Sequence, residues 1–144
     1  MFISYLHDEA LDYATQAKTR FSECGFRTWV WYFDRGPTGS AKLEMIKNIE
    51  ACDYFLDIST VASRVSEGQE FEREEARKRN KALIILTFDK EYISEVWNRD
   101  RDDDPVIYNE VSDETFAPMC RIIAQKLLPR PAAERTEGEP LEPA

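Results

Sequence analysis

The chain has 144 residues, enough for one domain of ordinary size and too few for two. Hydrophobic residues make up 42% and charged residues 33%, which permits a buried core and excludes a wholly disordered chain. The formal net charge of −9 argues against nucleic acid as a partner, because binding phosphate backbones needs a basic surface.

No stretch approaches the roughly 18 apolar residues of a membrane span, and no basic region followed by an apolar run opens the chain. A cytoplasmic, membrane-free protein is expected. Cys24, Cys52 and Cys120 are odd in number and lack CxxC spacing, so neither a disulfide framework nor a zinc site is signalled.

Phe2-Ile3-Ser4-Tyr5 is a short β-prone run. The first strand of an α/β domain is ordinarily longer, so a few residues are expected to be missing ahead of it. Asp8 is placed as an N-cap, followed by Ala10, Ala14, Ala17 and Phe21 on one helical face and by Gly25 as a C-terminal stop. Phe26 to Trp31 is the second strand candidate. The loop Tyr32 to Gly39 follows, and then Ser40 as the cap of a helix whose Leu43, Ile46 and Ile49 share a face.

Tyr54 to Ile58 is the third strand. A Ser/Thr-rich turn leads to a helix from about Ser66 to Lys81, where Ser66-x-x-Gln69 has the form of a capping box. Leu83 to Leu86 is a continuous apolar run, typical of a central parallel strand covered on both faces. A strand near Val106-Ile107-Tyr108 and a helix with Phe116, Met119, Ile123 and Leu127 on one stripe close the series. Strands alternating with amphipathic helices predict a three-layer α/β fold with a parallel sheet, whose ligands bind beyond the carboxyl ends of the strands. From Pro131 to Ala144 the chain has four Glu, one Arg and little apolar content. Residues 130–144 are therefore expected to be a disordered acidic Pro/Glu-rich tail or linker after a domain of residues 1–129.

The helix from Ser66 to Lys81 holds Glu67, Glu70, Glu72, Glu74 and Glu75 in its first half and Arg77, Lys78, Arg79 and Lys81 in its second, the polarity that complements a helix dipole. Glu74 with Lys78 and Glu75 with Arg79 read as i,i+4 pairs on a solvated helix. Glu72 fits that reading less well, because its i−4 and i+4 neighbours, Gly68 and Ala76, are small. A carboxylate on a stripe of small residues can face a cleft that a ligand enters closely.

Phe2-Ile3-Ser4-Tyr5 with Asp8 resembles the opening motif of TIR domains, and further pieces continue the likeness in order. Trp29 to Asp34 with Gly39 resembles the second strand and BB loop, Ile46 to Cys52 the following helix, and Leu56 to Ser59 the third strand. Ser66-x5-Glu72-x3-Ala76 resembles the start of the helix carrying the family's essential Glu, and Leu83 to Leu86 the fourth strand. The resemblance covers residues 2–128 and is strongest in the first 86. It implies a flavodoxin-like, five-stranded parallel sheet in order 2-1-3-4-5, self-association, and NAD+ hydrolysis or cyclisation with Glu72 as the catalytic carboxylate. A role in prokaryotic immune signalling or defence, and a fused or partner effector domain, belong to the same expectation.

Breaking the C1′–nicotinamide bond expels a neutral leaving group and leaves an oxocarbenium-like ribose, which a carboxylate stabilises. NAD+ is then a substrate, and no cofactor or metal is required. Tyr5, Asp34, Arg35 and Ser59 are the candidate substrate-binding residues, with Arg35 supplying positive charge. One position departs from the family: enzymatic members resemble Trp-x-x-x-Glu here, and this chain has Gly68, so Tyr32, Phe33 or Trp97 would have to supply the stacking ring.

Other readings remain. A non-catalytic TIR interaction module keeps the fold and drops the reaction. A response-regulator receiver would use Asp57, and a nucleoside-processing transferase would use a Glu on a similar sheet. Asp100 to Asp104 reads as a solvated loop before a cation site, since it lacks the glycine and final Glu of a calcium loop. His7, the one histidine, reads as a turn residue.

Overall fold

A computed structural model describes residues 1–36, 40–91 and 106–127. The predicted tail, Trp97 and the acidic run Asp100 to Asp104 lie outside the described residues. Strands β1 (Phe2–Ser4), β2 (Trp29–Val30), β3 (Tyr54–Ser59), β4 (Ala82–Thr87) and β5 (Val106–Glu110) form one sheet in the order β2-β1-β3-β4-β5. Every pairing is parallel. This is the expected three-layer α/β, flavodoxin-like arrangement.

Helix α1 (His7–Glu23) and helix α5 (Asp113–Leu127) cover one face. Ala10, Ala14, Ala17 and Phe21 of α1 pack with Phe116, Cys120 and Ile123 of α5 on Ile3, Leu56, Ile58, Ile84 and Leu86. The small alanines let α1 lie close to the sheet, as their spacing predicts. Gly25 takes φ 92° directly after this helix, a conformation that needs no Cβ. Asp8, expected as the N-cap, falls inside α1, and Leu6 occupies the cap position without a side-chain bond.

The other face carries α3 (Ala41–Ala51) and α4 (Glu67–Lys78). Its inner rows are apolar: Phe2, Phe55 and Leu83 pack with Ile49 and Ala76, and the Phe2 ring stacks on Trp29 and Phe55 at centroid distances of 5.0 and 5.4 Å. Because side chains alternate across the sheet, the next residues facing α4 are Ser4, Asp57 and Ser59. Here the face turns from apolar to polar, and all three are at most 1% exposed.

Three further elements differ from expectation. The second strand stops at Val30, because residues Trp31–Asp34 form a single helical turn, α2, in which Asp34 Oδ2 accepts the Val30 N–H at 2.8 Å. In α3, Ser40 caps as predicted by accepting from Leu43 N–H at 3.4 Å, but Leu43 is 68% exposed and Ile49 with Met45 faces the core. Helix α4 is not solvated throughout: Gln69, Glu72, Arg73 and Ala76, an i, i+3, i+4, i+7 stripe, are buried.

Candidate active site

Two carboxyl-bearing residues and an Arg are buried where α4 crosses the polar end of the sheet. Ser66 starts α4 by accepting the Gln69 N–H at 3.2 Å, half of the predicted capping box. The other half is absent, since the Gln69 side-chain amide turns inward and donates to Asp57 Oδ1 at 3.1 Å and Ile58 O at 3.0 Å. Arg73 Nε donates to Asp57 Oδ2 at 3.0 Å, and the Ser59 hydroxyl donates to Asp57 Oδ1 at 3.0 Å. Asp57 is fully buried; desolvation pushes its carboxyl above the usual range, and the Arg73 charge opposes that rise. A carboxylate so enclosed is not open to phosphoryl transfer, which removes the receiver reading.

Glu72 lies one turn along the same buried stripe and is 7% exposed. Its Oε1 accepts the Ser4 hydroxyl proton at 2.9 Å, which ties α4 to the end of β1. Burial raises its pKa to about 8; the Ser4 bond pulls the other way, and the nearby Asp57 charge adds to the rise. Such a perturbation beside a cleft is what functional carboxyls show. The cleft, about 480 Å³, opens between α3 and α4 and is lined by Ala41, Lys42, Met45, Gly68, Phe71 and Glu72 among others. Lys42 holds its ammonium 4.7 Å from the Phe71 ring centre. At Gly68 an added Cβ would meet only Ser66 Oγ, at 4.0 Å, so among the described residues the wall is open at the position where the resemblance led one to expect Trp.

Tyr5 adjoins this site. Its hydroxyl accepts the Tyr32 N–H at 3.3 Å and lies 3.4 Å from His7 Nδ1. Burial raises its pKa, with Glu72 adding to the rise and Arg35 opposing it, so Tyr5 is within electrostatic reach of two other predicted site residues. His7, Tyr32 and Phe33 form a ring cluster with neighbouring centroids 6.0 and 5.0 Å apart. Tyr32 and Phe33 remain 47% exposed, and Arg35 stands over Trp31 at 5.8 Å.

The structure thus brings Tyr5, Arg35 and Glu72 to one end of the sheet. Ser59 lies under α4 with its hydroxyl committed to Asp57. Asp34 is committed to Val30 N–H and to Lys18 Nζ at 3.0 Å, and it lines a separate hollow with Trp29, Lys47 and Asn48. Sequence reasoning missed Ser4, Gln69 and Arg73 as partners of the site. A polar residue at an inward strand position was the available signal for Ser4, and Asp57 within an apolar strand was another. The predicted pair Glu75–Arg79 forms, whereas Lys78 bonds Glu75 and not Glu74. Among the described residues no group of three or more His, Cys, Asp or Glu side chains is placed to hold a metal, and no helix is long and apolar enough to cross a membrane.

Among solved structures the chain is similar to the CMP N-glycosidase BcmB of Clostridium botulinum. The two share 18% identity with a TM-score of 0.63, over 88% of this chain and 98% of that one, which shows a common fold. No curated protein matches the chain. The family model for the TIR domain matches residues 1–114, so the chain belongs to the TIR domain family.

Proposed function

We propose that the protein cleaves the nicotinamide–ribose bond of NAD+, with Glu72 as the catalytic carboxylate. The observation that carries this reading is the buried Glu72 carboxyl, anchored by Ser4 at the end of the sheet and lining a cleft between two helices. In the reaction the C1′–N bond breaks, its electron pair leaves with neutral nicotinamide, and water captures the ribosyl cation to give ADP-ribose and a proton. Ionised Glu72 beside the ribose stabilises the developing positive charge. Tyr5 and Arg35 contact the substrate, and the exposed Tyr32 and Phe33 offer a ring to stack on. Asp34 and Ser59 join only if they exchange their present partners. Self-association, a cytoplasmic site of action and a part in prokaryotic defence signalling, with a fused or partner effector, complete the proposal and rest on family membership.

Incubation of the purified protein with NAD+, followed by mass analysis of products, tests the reading: free nicotinamide with ADP-ribose or a cyclic isomer is expected. CMP belongs in the same panel, because the similar Clostridium botulinum protein is named as a CMP N-glycosidase. Gly68, in place of a stacking Trp, favours a second reading, an interaction module without catalysis. Absence of cleavage of both NAD+ and CMP at high protein concentration would favour that reading instead.

A further inference from the structure

Glu72 is held by a residue from the far side of the chain. Ser4 lies 68 positions earlier, on the interior strand β1, and its hydroxyl is 2.9 Å from Glu72 Oε1. Both residues are buried, so water does not compete freely for either group. Among the described contacts this is the hydrogen bond that Glu72 makes, which leaves Oε2 for the cleft. Strand registry explains the placement: Ser4 pairs with Asp57 on β3, and the two alternate onto the face beneath α4.

We infer that Ser4 is a positioning residue whose hydroxyl fixes the Glu72 carboxyl in one orientation and presents its second oxygen to the cleft. This deepens the N-glycosidic reading and rests on it for the reaction, though not for the contact. A hydroxyl donor stabilises a carboxylate more than a neutral carboxyl, so the same bond also sets how readily Glu72 becomes charged. Among the described residues the groups facing Glu72 are few. From the end of β1 comes Ser4, from the residue after it Tyr5, and from β3 comes Asp57, already paired with Arg73. Helix α3 contributes Lys42 at the cleft, and α4 itself contributes Glu67. In the structure it is Ser4, and none of the others, that donates to the Glu72 carboxyl. Ser4 is only 1% exposed, so it acts on substrate through Glu72.

The test is the titration of the Glu72 side-chain carboxyl by NMR, assigned by its loss in Glu72→Gln. In Ser4→Ala the midpoint is expected to move up by about one pH unit, the worth of one charge-assisted hydrogen bond. Ser4→Thr, which keeps the hydroxyl, should titrate near the parent. Ser4→Cys keeps the shape with a weaker donor and should shift in the same direction; it decides the matter if Ser4→Ala does not fold. With NAD+ as substrate near pH 7, Ser4→Ala is expected to lower kcat about tenfold with KM little changed. Unmoved midpoints in Ser4→Ala and Ser4→Cys would overturn the inference, as would a shifted midpoint with an unchanged kcat in an active protein. A parent that releases no nicotinamide, with the shift still present, would sink the reaction and leave the hold of Ser4 on Glu72 standing.

Discussion

A carboxyl that keeps its proton to about pH 8 must lose it before it can stabilise a cation. The rate for a pyridinium substrate should therefore rise with pH. For free enzyme, kcat/KM is expected to climb about tenfold per pH unit below about 8 and level off above it. Bound NAD+ places a positive ring beside Glu72 and favours the charged form, so kcat should reach its plateau at lower pH than kcat/KM. A pH–rate series shows both limbs. The opposite limb, falling through about 8, would assign the protonated carboxyl as a general acid, which a base that otherwise departs as an anion requires and nicotinamide does not.

Glu72→Gln separates charge from shape at the same position. Loss of the charge should reduce NAD+ cleavage by at least about a hundredfold, roughly 3 kcal/mol, while Glu70→Gln and Glu74→Gln, both exposed on α4, retain most activity. Stability should move the other way. The folded pKa lies above the ordinary 4.5, so the folded protein keeps a proton that the unfolded chain releases. This contribution is complete below about pH 4.5, falls by about 1.4 kcal/mol per pH unit, and is gone above about 8, a total of about 5 kcal/mol. Gln cannot ionise and escapes the loss. Urea midpoints should show little difference from the parent near pH 4.5 and a more stable variant near pH 9.

At the level of elements, α4 is held by buried polar bonds as much as by apolar packing. The Asp57–Arg73 pair has both side chains at most 6% exposed, and Gln69 adds two bonds to β3. Removing one partner strands a buried charge. Arg73→Met is expected to destabilise the protein by about 3–5 kcal/mol, and pairing it with Asp57→Leu should recover much of that loss. Chemical unfolding of the single and double variants measures the difference. Recovery of stability without recovery of nicotinamide release would show that the pair serves to place α4 and its Glu72.

This buried layer is also where the sequence is hardest to read. The spacing of Ala10, Ala14, Ala17 and Phe21 and the run Leu83 to Leu86 announce their elements, because an apolar period has one physical meaning. A helix with Glu, Gln and Arg on every side has two meanings, solvated or buried and paired. The partners that decide between them, Ser4, Asp57 and Ser59, stand on other strands. Glu72 itself was legible through Gly68 and Ala76 and through the family resemblance. The early end of β2 was not, since it depends on Asp34 folding back to the Val30 amide.

On the scale of the molecule, the described residues that bound the 480 Å³ cleft beside Glu72 belong to α3 and α4, and exposed apolar side chains stand on the neighbouring elements. Leu43 on α3 is 68% exposed, and Tyr32 and Phe33 on α2 are 47% exposed. An open cleft admits water that screens the carboxylate and competes with ordered substrate, whereas a second copy laid over it would exclude that water and strengthen the electrostatics inside. Activity is therefore expected to depend on protein concentration. Specific activity for NAD+ should fall steeply on about a hundredfold dilution and return with crowding agents or on reconcentration, as mass action on an assembling species requires. Light scattering on the same samples should show the assembled fraction rising in step with the rate. Constant specific activity across the dilution, with scattering showing monomer throughout, would mean that one chain completes the site alone.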